Sequence, residues 1–157
     1  MDGKGVVNRR KAQVLGINHV VLEVGDLDQA LKFYGAIFDF TLRDRSDHNA
    51  FIGMGDQFIQ LTVNDRDGGL DTKRHFGLVV DDREGVAEAL TAVGAERVGE
   101  RLNFLDPWGN RIEVVSYAGI QFTKADHILA GMGVGTIKKT EDALKELAEA
   151  GMAPGGS

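Results

Sequence analysis

The chain carries one unit twice. The run His19-Val-Val-Leu-Glu-Val-Gly-Asp26 recurs 56 residues later (75 − 19) as His75-Phe-Gly-Leu-Val-Val-Asp-Asp82. The run Phe51-Ile-Gly-Met-Gly-Asp-Gln-Phe-Ile-Gln60 recurs 53 residues later (113 − 60) as Phe104-Leu-Asp-Pro-Trp-Gly-Asn-Arg-Ile-Glu113. One short deletion in a connection reconciles the two offsets. A duplicated sequence folds into duplicated structure, so residues that recur occupy equivalent places. Here those residues are His19, Gln60, His75 and Glu113, and they read as two half-sites facing each other.

Each copy has the grammar βαβββ. The β-branched run Ile17–Val24 predicts a strand closed by Gly25-Asp26, and Asp26 with Gln29 makes a capping-box-like helix start. Leu27, Ala30, Leu31, Tyr34, Ile37 and Phe38 then follow the apolar stripe of an amphipathic helix. Strands are expected over Phe40–Arg43, Ala50–Ile52 and Gln57–Val63, with breaks at Arg45–Asn49 and Gly53–Gly55. The second copy repeats this with a strand at His75–Val80, a cap at Asp82 and a helical stripe of Val86, Ala89, Leu90 and Val93. Strands follow near Glu96–Val98, Leu102–Leu105 and Asn110–Tyr117, the last entered through the turn Asp106-Pro-Trp-Gly109. The expected organisation is a flexible arm at 1–15, a domain at 16–117 made of modules 16–63 and 74–117, and a C-terminal extension at 118–157. In the extension, Gly131–Gly135 predicts a flexible turn. Thr140 caps a helix near 140–150 whose apolar stripe is Ala143, Leu147, Leu144 and Ala148.

Alternation along strands fixes where the repeated polar residues point. Val20, Leu22 and Val24 share one face of the first strand, opposite His19, Val21 and Glu23. Ile59, Leu61 and Val63 oppose Gln60; Phe76, Leu78 and Val80 oppose His75; Ile112 and Val114 oppose Glu113. The apolar set should meet the helix each time, which puts all four polar residues on the other face. Half-exposed sheets commonly carry polar residues on their wet face, and one histidine there means little. Four strands obeying one rule, with two imidazoles and a carboxylate among them, fit a two-His-one-carboxylate set for a divalent metal, with Gln60 as a neutral fourth oxygen ligand. His48 and His127 have no repeat partner and read as surface or neighbouring residues.

Composition excludes several classes. The 157 residues suffice for one compact core. With 24 acidic against 18 basic residues the net charge is −6, which argues against nucleic acid; the one dense basic cluster, Arg9-Arg10-Lys11, sits in the N-terminal arm. There is no cysteine, hence no disulfide framework or thiolate chemistry. No apolar run approaches a membrane span and residues 1–14 lack the apolar stretch of a signal peptide, so a cytoplasmic protein is expected.

Four segments, His19–Leu27, Lys32-Phe-Tyr34, His75–Asp82 and Phe104–Glu113, resemble the vicinal oxygen chelate superfamily, the glyoxalase/bleomycin-resistance/extradiol-dioxygenase group, over roughly residues 16–117. The resemblance implies an α+β fold of two tandem βαβββ modules forming a cupped mixed-sheet cleft, with helices on the outer face and a C-terminal helical extension here. It places His19, Gln60, His75 and Glu113 where metal-dependent members keep ligands, for Fe, Mn, Ni, Co or Zn. Each branch is matched incompletely. Gln60 stands where bacterial glyoxalases carry Glu, Asn49 stands where the methylmalonyl-CoA epimerase branch has a second catalytic Glu, and Asn103 replaces a functional Tyr of dioxygenases and fosfomycin-resistance transferases.

The leading expectation is a metal-dependent enzyme acting on a small oxygenated substrate by lyase, isomerase or epimerase chemistry. Glu113 is the catalytic acid group, with Glu23 and Asp47 as other nominees for proton transfer. The alternatives are an Fe(II) extradiol-type dioxygenase and an antibiotic-binding resistance protein without catalysis. The linker at 64–73 permits the two modules to pair within one chain without enforcing exchange. A homodimer is expected from the open sheet edges of the modules and from the C-terminal stripe.

Overall fold

The computed structural model describes residues 17–55, 57–64 and 69–153. The expected arm at 1–15, with Arg9-Arg10-Lys11, and part of the 64–73 linker lie outside the described residues. The first module consists of β1 (His19–Val24), α1 (Leu27–Gly35), β2 (Thr41–Arg45), β3 (Asn49–Met54) and β4 (Gln57–Val63). The second consists of β5 (Phe76–Val80), α2 (Arg83–Ala92), β6 (Glu96–Arg97), β7 (Asn103–Leu105) and β8 (Arg111–Ser116). Both helices start as their sequences dictate: the Asp26 carboxylate accepts from the Gln29 backbone N–H at 2.7 Å, and Asp82 accepts from that of Gly85 at 2.9 Å.

Each module forms its own four-stranded mixed sheet, ordered β1-β4-β3-β2 and β5-β8-β7-β6. β1 lies parallel to β4 and β5 parallel to β8; the other pairs are antiparallel. Alternation holds. Leu22, Val24, Ile59, Leu61, Ile112 and Val114 are buried with residues of α1 and α2, while His19, Val21 and Glu23 are exposed. Fully burying a side chain of this size contributes about 1.5–3 kcal/mol, and this burial fixes each strand's register.

One correction concerns the repeat itself. Phe51 faces Gln60 across β3–β4, whereas Asn103, not Phe104, faces Glu113 across β7–β8. The second hairpin accommodates one more residue in its Asp106–Asn110 turn, so ungapped matching of the two runs slips by one. Phe104 therefore corresponds to Ile52 and is fully buried on the helix side. The strand β3 also runs through Gly53 to Met54, and the expected break there narrows to Gly55.

The modules share one core on that helix side. The rings of Phe33 and Phe38 lie 6.1 and 6.2 Å from Phe104. The buried Tyr34 hydroxyl donates to Asp106 Oδ2 at 2.8 Å, and Asn110 Nδ2 donates to the Glu23 carbonyl at 2.9 Å. Gly25 is required where it stands: a Cβ there would lie 2.6 Å from the Trp108 indole nitrogen.

The extension is more structured than its sequence suggested. After a short 3-10 turn at Tyr117–Gly119 come α3 (Asp126–Gly131) and α4 (Glu141–Glu149). The first of these helices was not expected; it is six residues long and buries none of its side chains fully, too short for a legible stripe. It packs Ile128 and Met132 against the β3–β4 turn at Gly55, whose φ of 75° and close neighbours demand glycine. The Thr140 hydroxyl caps α4, which buries Ala143 and Leu147. Lys139 anchors the segment by donating to the carbonyls of Tyr117, Ile120 and Phe122. No helix among the described residues is long and apolar enough to cross a membrane.

Candidate metal centre

In the second module His75 and Glu113 meet. Glu113 pairs across the sheet with Gly77, two residues beyond His75, so the two side chains are diagonal neighbours on the face turned away from the helices. His75 Nε2 lies 3.5 Å from Glu113 Oε2. The other oxygen of Glu113 is 3.3 Å from Arg101 Nη1. His75 Nδ1 lies 2.8 Å from the Lys73 carbonyl, which only accepts, so Nδ1 is placed to donate and Nε2 is the ring nitrogen turned toward Glu113. A hydrogen bond from the far ring nitrogen to a carbonyl is what orients a metal-ligating imidazole.

The first module repeats the register. Gln60 pairs with Val21, two residues beyond His19. His19 Nδ1 lies 2.9 Å from Asn18 Oδ1, which leaves Nε2 as the ring nitrogen not engaged by Asn18, and the imidazole stacks on Phe58 at 4.8 Å and 6°. The Gln60 amide nitrogen donates to Asn49 Oδ1 at 2.9 Å and to Thr62 Oγ1 at 3.0 Å, so its carbonyl oxygen remains available.

The chain brings together His75 with Glu113, but not the pair His19 and Gln60 with them. Among the described residues no three His, Asp or Glu side chains gather into a metal-binding group. The donor chemistry fits a divalent ion in each half; neither half is a complete set. Of the other nominated acids, Glu23 Oε1 accepts from Asn64 Nδ2 at 2.7 Å, and Glu23 pairs with Thr62, four residues along β1 from His19. At about 3.3 Å per residue that is about 13 Å away. Asp47 sits in the exposed β2–β3 turn, at the opposite end of the sheet from His19.

A hollow of about 250 Å³ opens beside the pair, lined by His75, Glu100, Arg101, Asn103, Arg111 and Glu113. The two arginines were not anticipated from sequence. Arg111 was legible, since alternation puts it on the face of Glu113 two residues on. Arg101 lies in an irregular segment before β7 and gave no periodic signal.

The fold and this face define a class. The family model of the Glyoxalase/Bleomycin resistance protein/Dioxygenase superfamily matches residues 16–114, and the chain belongs to that superfamily. Over 91 residues it is 33% identical to a probable lactoylglutathione lyase of Vibrio parahaemolyticus, a match covering 50% of this chain and 66% of that protein. Over 94 residues it is 34% identical to a probable chloroplastic lactoylglutathione lyase of Arabidopsis thaliana, covering 50% of this chain and 26% of that one. The chain thus spans just under two thirds of one relative and about a quarter of the other. Among solved structures, the fosfomycin resistance protein FosX of Listeria monocytogenes, complexed with Mn(II) and sulfate, superposes with a TM-score of 0.59 at 19% identity. That superposition covers 76% of this chain and 99% of the other, and it shows a shared fold.

Proposed function

We propose that the protein is a divalent-metal-dependent enzyme that acts on a small oxygenated substrate by lyase, isomerase or epimerase chemistry. The observation that carries this reading is the matched preparation of the two halves. Both histidines have Nδ1 beside an oxygen with Nε2 as the other ring nitrogen, and each stands diagonal to an oxygen donor. A merely solvated sheet face has no reason to repeat this arrangement. Homologues named as lactoylglutathione lyases and a fold shared with an Mn(II)-containing protein support it.

His19, His75 and Glu113 would hold the ion, with the Gln60 carbonyl oxygen as the weaker ligand. When bound, such an ion supplies Lewis-acid polarisation of two neighbouring substrate oxygens. Among the described residues Glu113 is the one carboxylate paired with a candidate histidine ligand, and the oxygen beside His75 would exchange a proton on turning from it while the other stays with Arg101.

The active form in this reading is a homodimer with composite sites. β1 and β5, the strands at which His19 and His75 stand, are edge strands, and nothing among the described residues pairs with their outer edges. The modules are held together on the helix side, away from both polar faces. A second copy laid along these edges brings the half-sites of opposite chains together and covers the edges. The C-terminal stripe contributes less to this argument than its sequence suggested, since Ala143 and Leu147 are covered by the chain itself.

Elemental analysis of protein purified without chelator tests the reading. The expected result is about one divalent ion per chain, lost in His75→Ala and in Glu113→Ala, and kept in Glu88→Gln on the exposed side of α2. Full metal content in both ligand variants overturns it.

A further inference from the structure

We infer that Lys139 is a long-range positioning residue for the His19 half-site, the charged lock of a strap that the C-terminal extension lays across the two modules. The role of His19 as a ligand rests on the proposed function; the strap rests on contacts alone.

The strap is the stretch 120–138. It leaves the second module just past β8 and returns at Lys139, whose ammonium donates to the carbonyls of Tyr117, Ile120 and Phe122. The same nitrogen lies 3.5 Å from the centre of the Tyr117 ring. Carbonyl dipoles aimed at one point repel each other unless a cation stands between them, so the base of the strap closes on the ammonium charge. The Thr140 backbone N–H continues the closure by donating to the Ala118 carbonyl at 2.9 Å. Between these ends little apolar surface holds the strap, since α3 buries none of its side chains fully. A segment with few buried apolar contacts opens at low free energy, and a single charged lock then decides whether it stays down.

The tip of the strap reaches the first module. Tyr117 Oη accepts from the Lys124 backbone N–H at 3.2 Å, and Lys124 Nζ donates to the Met54 carbonyl at 3.3 Å. A Cβ on Gly55 would lie 2.9 Å from Ile128 Cγ2 and 2.7 Å from Met132 Sδ, so the strap sits directly on the β3–β4 turn. That turn leads into Gln57 and Phe58, which hold the entry to β1. Gln57 Nε2 donates to the Ile17 carbonyl at 2.6 Å, and the Phe58 backbone N–H donates to the Asn18 carbonyl at 3.2 Å. The Phe58 ring is the one stacked on His19. A continuous run of contacts thus leads from the Lys139 charge to the His19 imidazole, and both ends respond to one event, the lifting of the strap.

Amide hydrogen exchange and the histidine ring ¹H resonances of the full-length protein test the inference. Lys139→Met keeps the length of the side chain and removes its charge and donors. Exchange should become about tenfold or more faster at Val134, whose N–H donates to the Leu129 carbonyl within the strap, and at Phe58, with β5 and β8 unchanged. The His19 ring protons, shielded by the Phe58 face, should move downfield as the stack loosens. Lys139→Arg keeps a cation at the base and should recover part of both effects. Ile128→Ala trims the tip and leaves the lock, so Phe58 should exchange faster while the Thr140 amide stays protected. Faster exchange at Val134 with Phe58 and His19 unmoved overturns the positioning role, and no change at Val134 in Lys139→Met overturns the lock. If Lys139→Met loosens β5 and β8 as well, the Ile128→Ala result decides alone. Metal content measured on the same samples separates this inference from the proposed function. Stoichiometric metal with Phe58 and His19 unmoved leaves the metal centre standing and the strap fallen; coupled shifts without bound metal keep the strap and remove only the ligand role of His19.

Discussion

The two halves place the same residue types in the same register, yet their oxygen donors are used differently. In the second half the donor is a carboxylate, and its charge draws partners: His75 on one oxygen, Arg101 on the other. In the first half the donor is an amide, and Gln60 settles into a neutral network with Asn49 and Thr62, without touching His19. The difference teaches that a duplicated scaffold conserves position and leaves charge to set the work. In the proposed site the Glu113 half would hold a cation or move a proton, and the Gln60 half would complete a shell without adding charge.

The largest test asks whether the halves act together across chains. Separately purified His19→Ala and His75→Ala variants should each lack bound metal. Mixed and allowed to exchange subunits, they should regain about one ion per mixed dimer, because one of its two composite sites then has both native histidines. A site built within one chain predicts no recovery at all. Elemental analysis of the mixture separates the two outcomes, and light scattering confirms that it is dimeric.

The second test removes the contrast between amide and carboxylate. In Gln60→Glu both halves carry an acidic oxygen donor, and a carboxylate is a better hard ligand and partial charge neutraliser. Metal affinity should rise by about tenfold or more, about 1.4 kcal/mol, in a competition titration. The new charge also faces Asn49 Oδ1, which now accepts from Gln60, so Asn49 must turn its amide nitrogen toward it. Unchanged affinity would place the Gln60 oxygen outside the coordination shell.

Much of this was legible because two periodicities coincide in the chain. Alternation alone separated Leu22, Val24, Ile59 and Leu61 from His19 and Gln60, and the repeat carried the same separation into the second half. The one-residue slip between Phe51 and Phe104 was not legible, since turn length leaves no mark on strand alternation. Nor was the separation of the half-sites within one chain. It follows from Phe33, Tyr34 and Phe38 packing on the helix side of the second sheet, a contact between residues about 70 positions apart that no local pattern encodes. The extension resisted for a related reason: the polar Lys139 anchors it through three backbone carbonyls, and backbone acceptors are invisible in a sequence.

The smallest test probes what keeps the halves facing away from each other. Tyr34 bridges them: it is 2% exposed, and its hydroxyl donates to Asp106, which also accepts from Asn110 Nδ2 at 2.7 Å. Burial first, and then the Asp106 charge and the hydrogen bond to it, push the Tyr34 pKa well above 10.0. A group whose folded pKa is raised contributes stability in full below its unfolded pKa and loses it as pH rises toward the folded one. Tyr34 therefore stabilises the protein fully below about pH 10 and progressively less above it. Tyr34→Phe should cost about 1 kcal/mol at neutral pH, since Asp106 keeps its other donors. Above pH 10 the gap between variant and parent should narrow, because only the parent has a buried phenol to ionise. Denaturant titrations at pH 7 and pH 11 measure both, and an equal gap at the two values would mean that neither burial nor Asp106 holds the Tyr34 phenol neutral in the folded protein.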